Sequence, residues 1–161
     1  MPDDAQTPEQ PRPDPALHRL DRLVGEWDLR GRSPGSDNDD ITGRTRFRWL
    51  HGEGDSFFLL QEMQMDYAGT PILSHELIGH DPKTGAFASQ VYSNMAAEPW
   101  PYIWDVNGDE ITIAISHGPM DAKYTGRFAA DGNSWSGGWR PNPGADETIN
   151  APYDITATRR A

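Results

Sequence analysis

The chain of 161 residues carries 14 lysines and arginines against 25 aspartates and glutamates, a formal net charge of −11, and it contains no cysteine. This length corresponds to one domain with a sizeable core, and the lack of cysteine excludes disulfides, thiol nucleophiles and cysteine-ligated metals. The acidic balance disfavours binding to nucleic acid or to an anionic membrane, and no apolar run is long enough to span a bilayer.

Residues 1–15 include five prolines and almost no apolar side chain, which predicts a disordered acidic tail. The segment lacks the basic and apolar regions of a secretory signal, so we expect a cytoplasmic protein. A single domain is predicted over 16–161. It opens with a short helix, because leucines recur at helical spacing from Leu17 to Leu23 before Gly25 ends the pattern.

After Gly25 the spacing of apolar residues changes from helical to alternating, as in Thr45, Phe47 and Trp49, which share one face of a strand. Turn sequences such as Asn107-Gly108 separate ten such segments. The strands are predicted at 25–32, 43–51, 55–67, 72–80, 86–93, 100–106, 110–116, 122–129, 134–140 and 153–160. Ten hairpin-linked strands favour an all-β, antiparallel up-and-down barrel, since closure removes exposed edges; a two-sheet sandwich is the alternative.

The tripeptide Gly25-Glu26-Trp27, placed after a short helix and opening the first strand, resembles the G-x-W signature of the calycins, the superfamily of lipocalins and fatty-acid-binding proteins. In that superfamily the tryptophan closes one barrel end, and an arginine of the last strand packs over it. The resemblance therefore implies barrel closure by Trp27 and Arg159. Arg159 shares the parity of Tyr153 and Ile155, so it fits this role better than its neighbour.

Three further segments, 76–85, 131–135 and the terminal Tyr153…Arg159, extend the likeness to a bacterial lipocalin-like family of uncharacterised function. This resemblance implies a fold and no settled activity. The chain is more distantly similar to nitrobindin-type barrels, which hold haem through a histidine near the C-terminal end. The last histidine here is His117, well before that position, so we expect no cofactor.

Two motifs that look like chemistry fail on their geometry. Residues 31–35 match the G-x-S-x-G nucleophile elbow, but Pro34 lacks the backbone N–H that an oxyanion hole needs. His75 and His80 lie five residues apart, which on a strand puts them on opposite faces and excludes a shared metal. We therefore predict no metal site.

Alternation predicts which side chains face the barrel interior, where ten strands leave unfilled space. The orientation of strand 72–80 stays open because both of its faces mix apolar and polar residues. Aromatic, methionine and polar groups that converge inside a barrel are typical of a small-molecule site. The predicted ligand-binding residues are Trp49, His51, Gln61, Met63, Glu76, Tyr102 and Trp104.

The leading hypothesis is a barrel that binds a small hydrophobic or amphipathic molecule, with residues 141–152 as a lid over its mouth. One alternative is a barrel enzyme of the isomerase, cyclase or hydrolase type, in which His51 or His75 pairs with Glu76 or Glu62 for acid–base chemistry. Another is an interaction or assembly protein without a ligand, whose aromatic segment 98–104 is an exposed patch. Pairing into a homodimer is left open.

Overall fold

The computed structural model describes residues 8–52 and 56–161. Part of the predicted tail, residues 1–7, lies outside the described residues, as do residues 53–55, which include the start of the third predicted strand. Residues 8–14 form neither helix nor strand, and the helix begins at Pro15.

The fold is an all-β barrel preceded by one short helix, as the alternating pattern predicts. The ten strands are β1 (Gly25–Arg32), β2 (Ile41–Trp49), β3 (Phe58–Tyr67), β4 (Thr70–His80), β5 (Phe87–Ser93), β6 (Trp100–Asn107), β7 (Glu110–His117), β8 (Met120–Phe128), β9 (Ser134–Pro141) and β10 (Tyr153–Arg159). Each strand pairs antiparallel with the next, and β10 pairs back with β1, which closes the barrel and excludes the sandwich alternative.

The N-terminal helix, Pro15–Leu23, is a 3-10 helix. Its buried leucines, Leu17, Leu20 and Leu23, are spaced by three residues, so a helix with three residues per turn puts all of them on one face. Asp14 caps the helix, because its Oδ1 accepts a hydrogen bond of 2.8 Å from the backbone N–H of Ala16. The leucine face plugs one end of the barrel.

Trp27 and Arg159 join this plug to the first and last strands. Trp27 is fully buried, and its Nε1 donates to the carbonyl oxygen of Leu23 at 2.8 Å. The guanidinium of Arg159 lies 4.1 Å from the centre of the Trp27 ring and donates to the carbonyl oxygens of Val24 at 2.7 Å and Arg22 at 3.2 Å. The resulting cation–π contact and hydrogen bonds fix the helix across the barrel end.

The two ends of the barrel differ. At the end covered by the helix, hereafter the helix end, apolar side chains such as Phe87, Val106 and Phe128 are packed and buried. The opposite end, hereafter the mouth, is formed by the loops that connect β1 to β2, β3 to β4, β5 to β6, β7 to β8 and β9 to β10. These mouth loops are 33–40, 68–69, 94–99, 118–119 and 142–152.

Candidate functional site

A cavity of about 280 Å³ occupies the barrel interior on the side of the mouth. All ten strands contribute lining residues, because a ten-stranded barrel is too wide for side chains to fill completely. Its wall is mostly aromatic and aliphatic. The aromatic lining residues are Phe47, Trp100, Tyr102, Trp104, Tyr124, Trp135, Trp139 and Tyr153.

Among residues 8–52 and 56–161, Glu76 is the one acidic residue of this lining. It lies on β4, is only 4% exposed, and points inward with Ser74 and Ile78. One carboxylate oxygen, Oε2, accepts hydrogen bonds from Ser89 Oγ and Trp104 Nε1, each at 2.5 Å. Burial raises the pKa of Glu76 to about 7, although these two hydrogen bonds act to lower it. The group is therefore poised to change charge near neutral pH.

A second polar group lies beside Glu76 on the next strand. Gln61 of β3 is paired in register with Glu76, and its Nε2 donates to Thr45 Oγ1 of β2 at 2.9 Å. Gln61 and Thr45 both line the cavity. Together with Glu76 and Ser89 they form a continuous polar patch that runs across strands β2 to β5.

β9 lies five strands from β4 around the barrel and therefore opposite the polar patch. The wall on that side is aromatic. The Trp139 ring is 5.7 Å from that of Tyr102 and 5.8 Å from that of Tyr124, measured between ring centres. Burial raises the pKa of Tyr102, Tyr124 and Tyr153, so their hydroxyls stay neutral at physiological pH. The buried hydroxyl of Tyr124 has no hydrogen-bond partner in the described part of the chain.

The structure brings five of the seven predicted site residues together. The predicted residues that line the cavity are Gln61, Met63, Glu76, Tyr102 and Trp104. Trp49 and His51 do not line it, because β2 runs towards the helix end and its last residues pass beyond the cavity. Trp49 Nε1 instead donates to Asp21 Oδ1 of the helix at 2.9 Å, and His51 occupies an exposed turn with a positive φ of 65°.

The pairs of histidine and carboxylate expected for acid–base catalysis are not inside the barrel. His75 Nε2 lies 3.8 Å from Glu62 Oε1, but both side chains face the outer surface, where that of His75 is 67% exposed. No histidine belongs to the cavity lining among residues 8–52 and 56–161. The interior therefore fits neither the catalytic pair nor the haem-ligating histidine that the nitrobindin resemblance implies.

The aromatic side chains of segment 98–104 face inward and do not form an exposed patch. Trp100 and Tyr102 line the cavity, and Trp104 is 4% exposed. Ile103, which points the other way, is exposed on the outer face of β6. The alternation of the strand accounts for this division.

Residues 141–152, expected to form a lid, contribute no lining residue to the cavity. The buried amide of Asn150 anchors this loop beside the β7–β8 turn. Its Oδ1 accepts from the backbone N–H of Asp121 at 2.8 Å, and its Nδ2 donates to the carbonyl oxygen of Pro119 at 3.0 Å. The loop thus forms part of the rim of the mouth.

Four aromatic lining residues of β8, β9 and β10 were not among the predicted site residues. They are Tyr124, Trp135, Trp139 and Tyr153. The signal that could have identified them is their alternation with small or polar residues, as in Trp135-Ser136-Gly137-Gly138-Trp139.

Residues 8–52 and 56–161 contain no helix that is long and apolar enough to cross a bilayer. Within the same ranges, no three residues of the histidine, cysteine, aspartate and glutamate types come together as a metal site would require.

Comparison with known proteins places the chain in a family. Residues 12–130 match the family model described as "Protein of unknown function (DUF1579)". The chain belongs to the DUF1579 family. It is also similar to the crystal structure of Rv2717c from M. tuberculosis, with 18% sequence identity, a TM-score of 0.54, and coverage of 92% of this chain and 99% of that one. At this identity the likeness concerns the fold alone. No curated protein matches the chain.

Proposed function

We propose that this protein binds a small, largely apolar molecule inside its barrel. The observation that carries the proposal is the cavity of about 280 Å³, whose wall is aromatic and aliphatic apart from a few polar groups. Ligand sites in proteins combine a mostly apolar concave surface with a few polar groups that orient the ligand. A cavity of about 150 Å³ holds benzene, so this volume suits a ligand of about eleven non-hydrogen atoms.

The proposal includes the assignment to the lipocalin-like barrels of the calycin superfamily. Its support is the contact of Arg159 with Trp27, which matches the closure that the G-x-W resemblance implies, and the closed antiparallel topology. In such a barrel the plugged helix end provides rigidity, and the mouth admits the ligand. The aromatic wall then provides affinity, and the polar patch provides orientation.

A pair of substitutions at neighbouring positions tests this function. Ser74 is 7% exposed and lines the cavity, whereas the side chain of His75 projects from the outer face. We expect Ser74→Phe to occupy the cavity and to weaken the binding of phenylbutanol, a neutral probe of suitable size, by about tenfold or more. The matched control His75→Phe leaves binding unchanged. Calorimetry and quenching of tryptophan fluorescence measure both.

Circular dichroism and thermal unfolding establish that both variants are folded. Equal binding by wild type and Ser74→Phe would place the probe on the outer surface and contradict the proposal. Native mass spectrometry of freshly purified protein adds an independent measurement, because a tightly held cellular ligand appears as added mass. We expect that mass to be absent from Ser74→Phe.

A further inference from the structure

We propose that the cavity selects organic cations, namely small amines whose ammonium group is held at Glu76 and whose apolar part contacts the aromatic wall. This inference rests on the proposed function and names the chemical class of its ligand.

The first argument is the charge of the cavity. Glu76 is the only lining side chain that carries a charge near neutral pH, since the lining contains no lysine, arginine or histidine in the described part of the chain. The titratable groups that face it from the other strands are Tyr102, Tyr124 and Tyr153, which burial keeps neutral. An anionic ligand would be desolvated without a counterion and repelled by Glu76, whereas an ammonium gains an ion pair.

The second argument is the arrangement of hydrogen-bond acceptors. Ser89 and Trp104 both donate to Oε2 of Glu76, and Oε1 receives no hydrogen bond from any described residue. Gln61, paired in register with Glu76, donates its Nε2 to Thr45, which leaves the Gln61 carbonyl oxygen as an acceptor. An ammonium group carries three donors and no acceptor, so it complements these two unused acceptors.

The third argument is the aromatic wall itself. Trp104 donates its N–H to the carboxylate, which places an indole ring directly beside Glu76. Tyr102 and Trp139 also line the cavity, and their ring centres are 5.7 Å apart. The faces of tryptophan and tyrosine rings attract cations, most strongly where water is excluded. A carboxylate with one indole beside it and further aromatic rings in the same cavity is a favourable environment for an organic ammonium ion.

The fourth argument is independent of the cavity and concerns the loops around it. The mouth loops contain six acidic residues and no lysine or arginine; these residues are Asp37, Asp39, Asp40, Glu98, Asp146 and Glu147. Arg32 at the end of β1 pairs with Asp39 at 2.9 Å and offsets one of these charges. The remaining negative potential raises the local concentration of cations at the entrance and lowers that of anions.

The test compares three probes with nearly the same apolar skeleton: phenylbutylamine, phenylbutanol and phenylbutyrate. Calorimetric titration at about pH 8, where Glu76 is ionised, measures their affinities. We expect the amine to bind about tenfold or more tightly than the alcohol, and the carboxylate to bind more weakly than both. Raising the salt concentration should leave most of the preference for the amine over the alcohol in place, because the ion pair is buried.

Two isosteric variants assign the effect to Glu76. Glu76→Gln keeps an oxygen that accepts from Ser89 and Trp104, so we expect it to fold and to bind the amine no better than the alcohol. Glu62→Gln removes a carboxylate from the neighbouring strand but on the outer face, and we expect it to keep the full preference. Unchanged amine affinity in Glu76→Gln would overturn the assignment.

Proton linkage gives a readout that a merely structural role of Glu76 would not produce. The affinity of wild type for the amine should rise between about pH 6 and pH 8 as the carboxyl ionises, while the affinity for the alcohol stays level. Equal affinities for amine and alcohol overturn the cation selectivity and leave the binding function standing. Failure of all three probes to bind contradicts the binding function itself.

Discussion

At the scale of single residues, the buried carboxyl of Glu76 is the most consequential feature of the interior. Its strand carries apolar residues on both faces, so alternation alone could not decide its orientation. The register with β3 decides it, because Glu76 pairs with the cavity-lining Gln61 and paired residues share a face. Ser74 and Glu76 are buried, whereas Leu73 is 50% and Leu77 is 36% exposed on the outside. A carboxyl group without a basic partner is then left in the interior, and its environment must favour the neutral form.

We predict that this group makes the stability of the protein fall as the pH rises towards neutrality. Its pKa is about 7 in the folded state, against an ordinary value of 4.5. Between these values the folded state binds more protons than the unfolded state, so the free energy of unfolding decreases as the pH increases through this window. The upper limit of this contribution is about 3 kcal/mol.

The measurement is denaturant unfolding of wild type and Glu76→Gln at several pH values from about 4.5 to 8. The difference in unfolding free energy should shift in favour of the glutamine variant as the pH rises. Glu62→Gln removes a carboxylate from the outer face, and its unfolding free energy should change with pH as that of wild type does. A pH-independent difference between Glu76→Gln and wild type would show that the carboxyl titrates at its ordinary value.

At the scale of elements, Arg159 connects the N-terminal helix to the last strand. We predict that Arg159→Met destabilises the fold by about 2–3 kcal/mol, because it removes the cation–π contact with Trp27 and two hydrogen bonds to carbonyl oxygens. The neighbouring Arg160 makes an ion pair of 3.5 Å with Asp28 on the outer face, so Arg160→Met should cost at most about 1 kcal/mol.

Thermal unfolding compares the two variants, and the expected fall in Tm is roughly 2–4 °C per kcal/mol for a chain of this length. Equal and small shifts for both arginines would mean that the helix is held by its leucines alone. In that case the contact over Trp27 would be incidental to barrel closure.

The elements were largely predictable, and the reasons for the exceptions are physical. Alternation and turn residues located all ten strands, with ends that differ by up to three residues. The N-terminal helix was predicted without its 3-10 character, although the strict three-residue spacing of its leucines indicates that character. Trp49 was assigned the face of β2 that packs on the core but the wrong depth, because alternation defines the face of a strand and not the position along the barrel axis. His51 was assigned to a strand that ends at Trp49, and it lies in the turn beyond it.

At the scale of the whole molecule, the net charge of −11 is unevenly distributed. Arg44, Arg46 and Arg48 form a basic stripe on the outside of β2, but acidic side chains of the adjacent strands lie within 4 Å of all three. Such exposed pairs contribute little to stability. The mouth loops carry six acidic residues and no lysine or arginine, whereas the helix end joins the β-barrel through apolar packing and also carries the cations Arg19, Arg22 and Lys83. Charge and packing thus distinguish an acidic entrance from a packed base.

This division predicts where a bound ligand changes local dynamics. Amide hydrogens in turns exchange through local opening, whereas those in the central ladder exchange through larger unfolding events. A ligand enclosed near the mouth resists opening there, so saturating phenylbutylamine should slow exchange in the mouth loops 94–99 and 142–152. The turns at the helix end, 81–86 and 129–133, are separated from the cavity by the packed core and should exchange at unchanged rates.

Hydrogen exchange followed by mass spectrometry resolves these segments. The matched control is Ser74→Phe with the same probe, because its cavity should not hold the probe. The central strands of wild type should also gain protection, because a ligand that binds only the folded state raises the free energy of global unfolding. Slower exchange at the helix-end turns together with unchanged mouth loops would place the ligand at the opposite end of the barrel. That result would make the helix, and not the acidic rim, the element that opens to admit it.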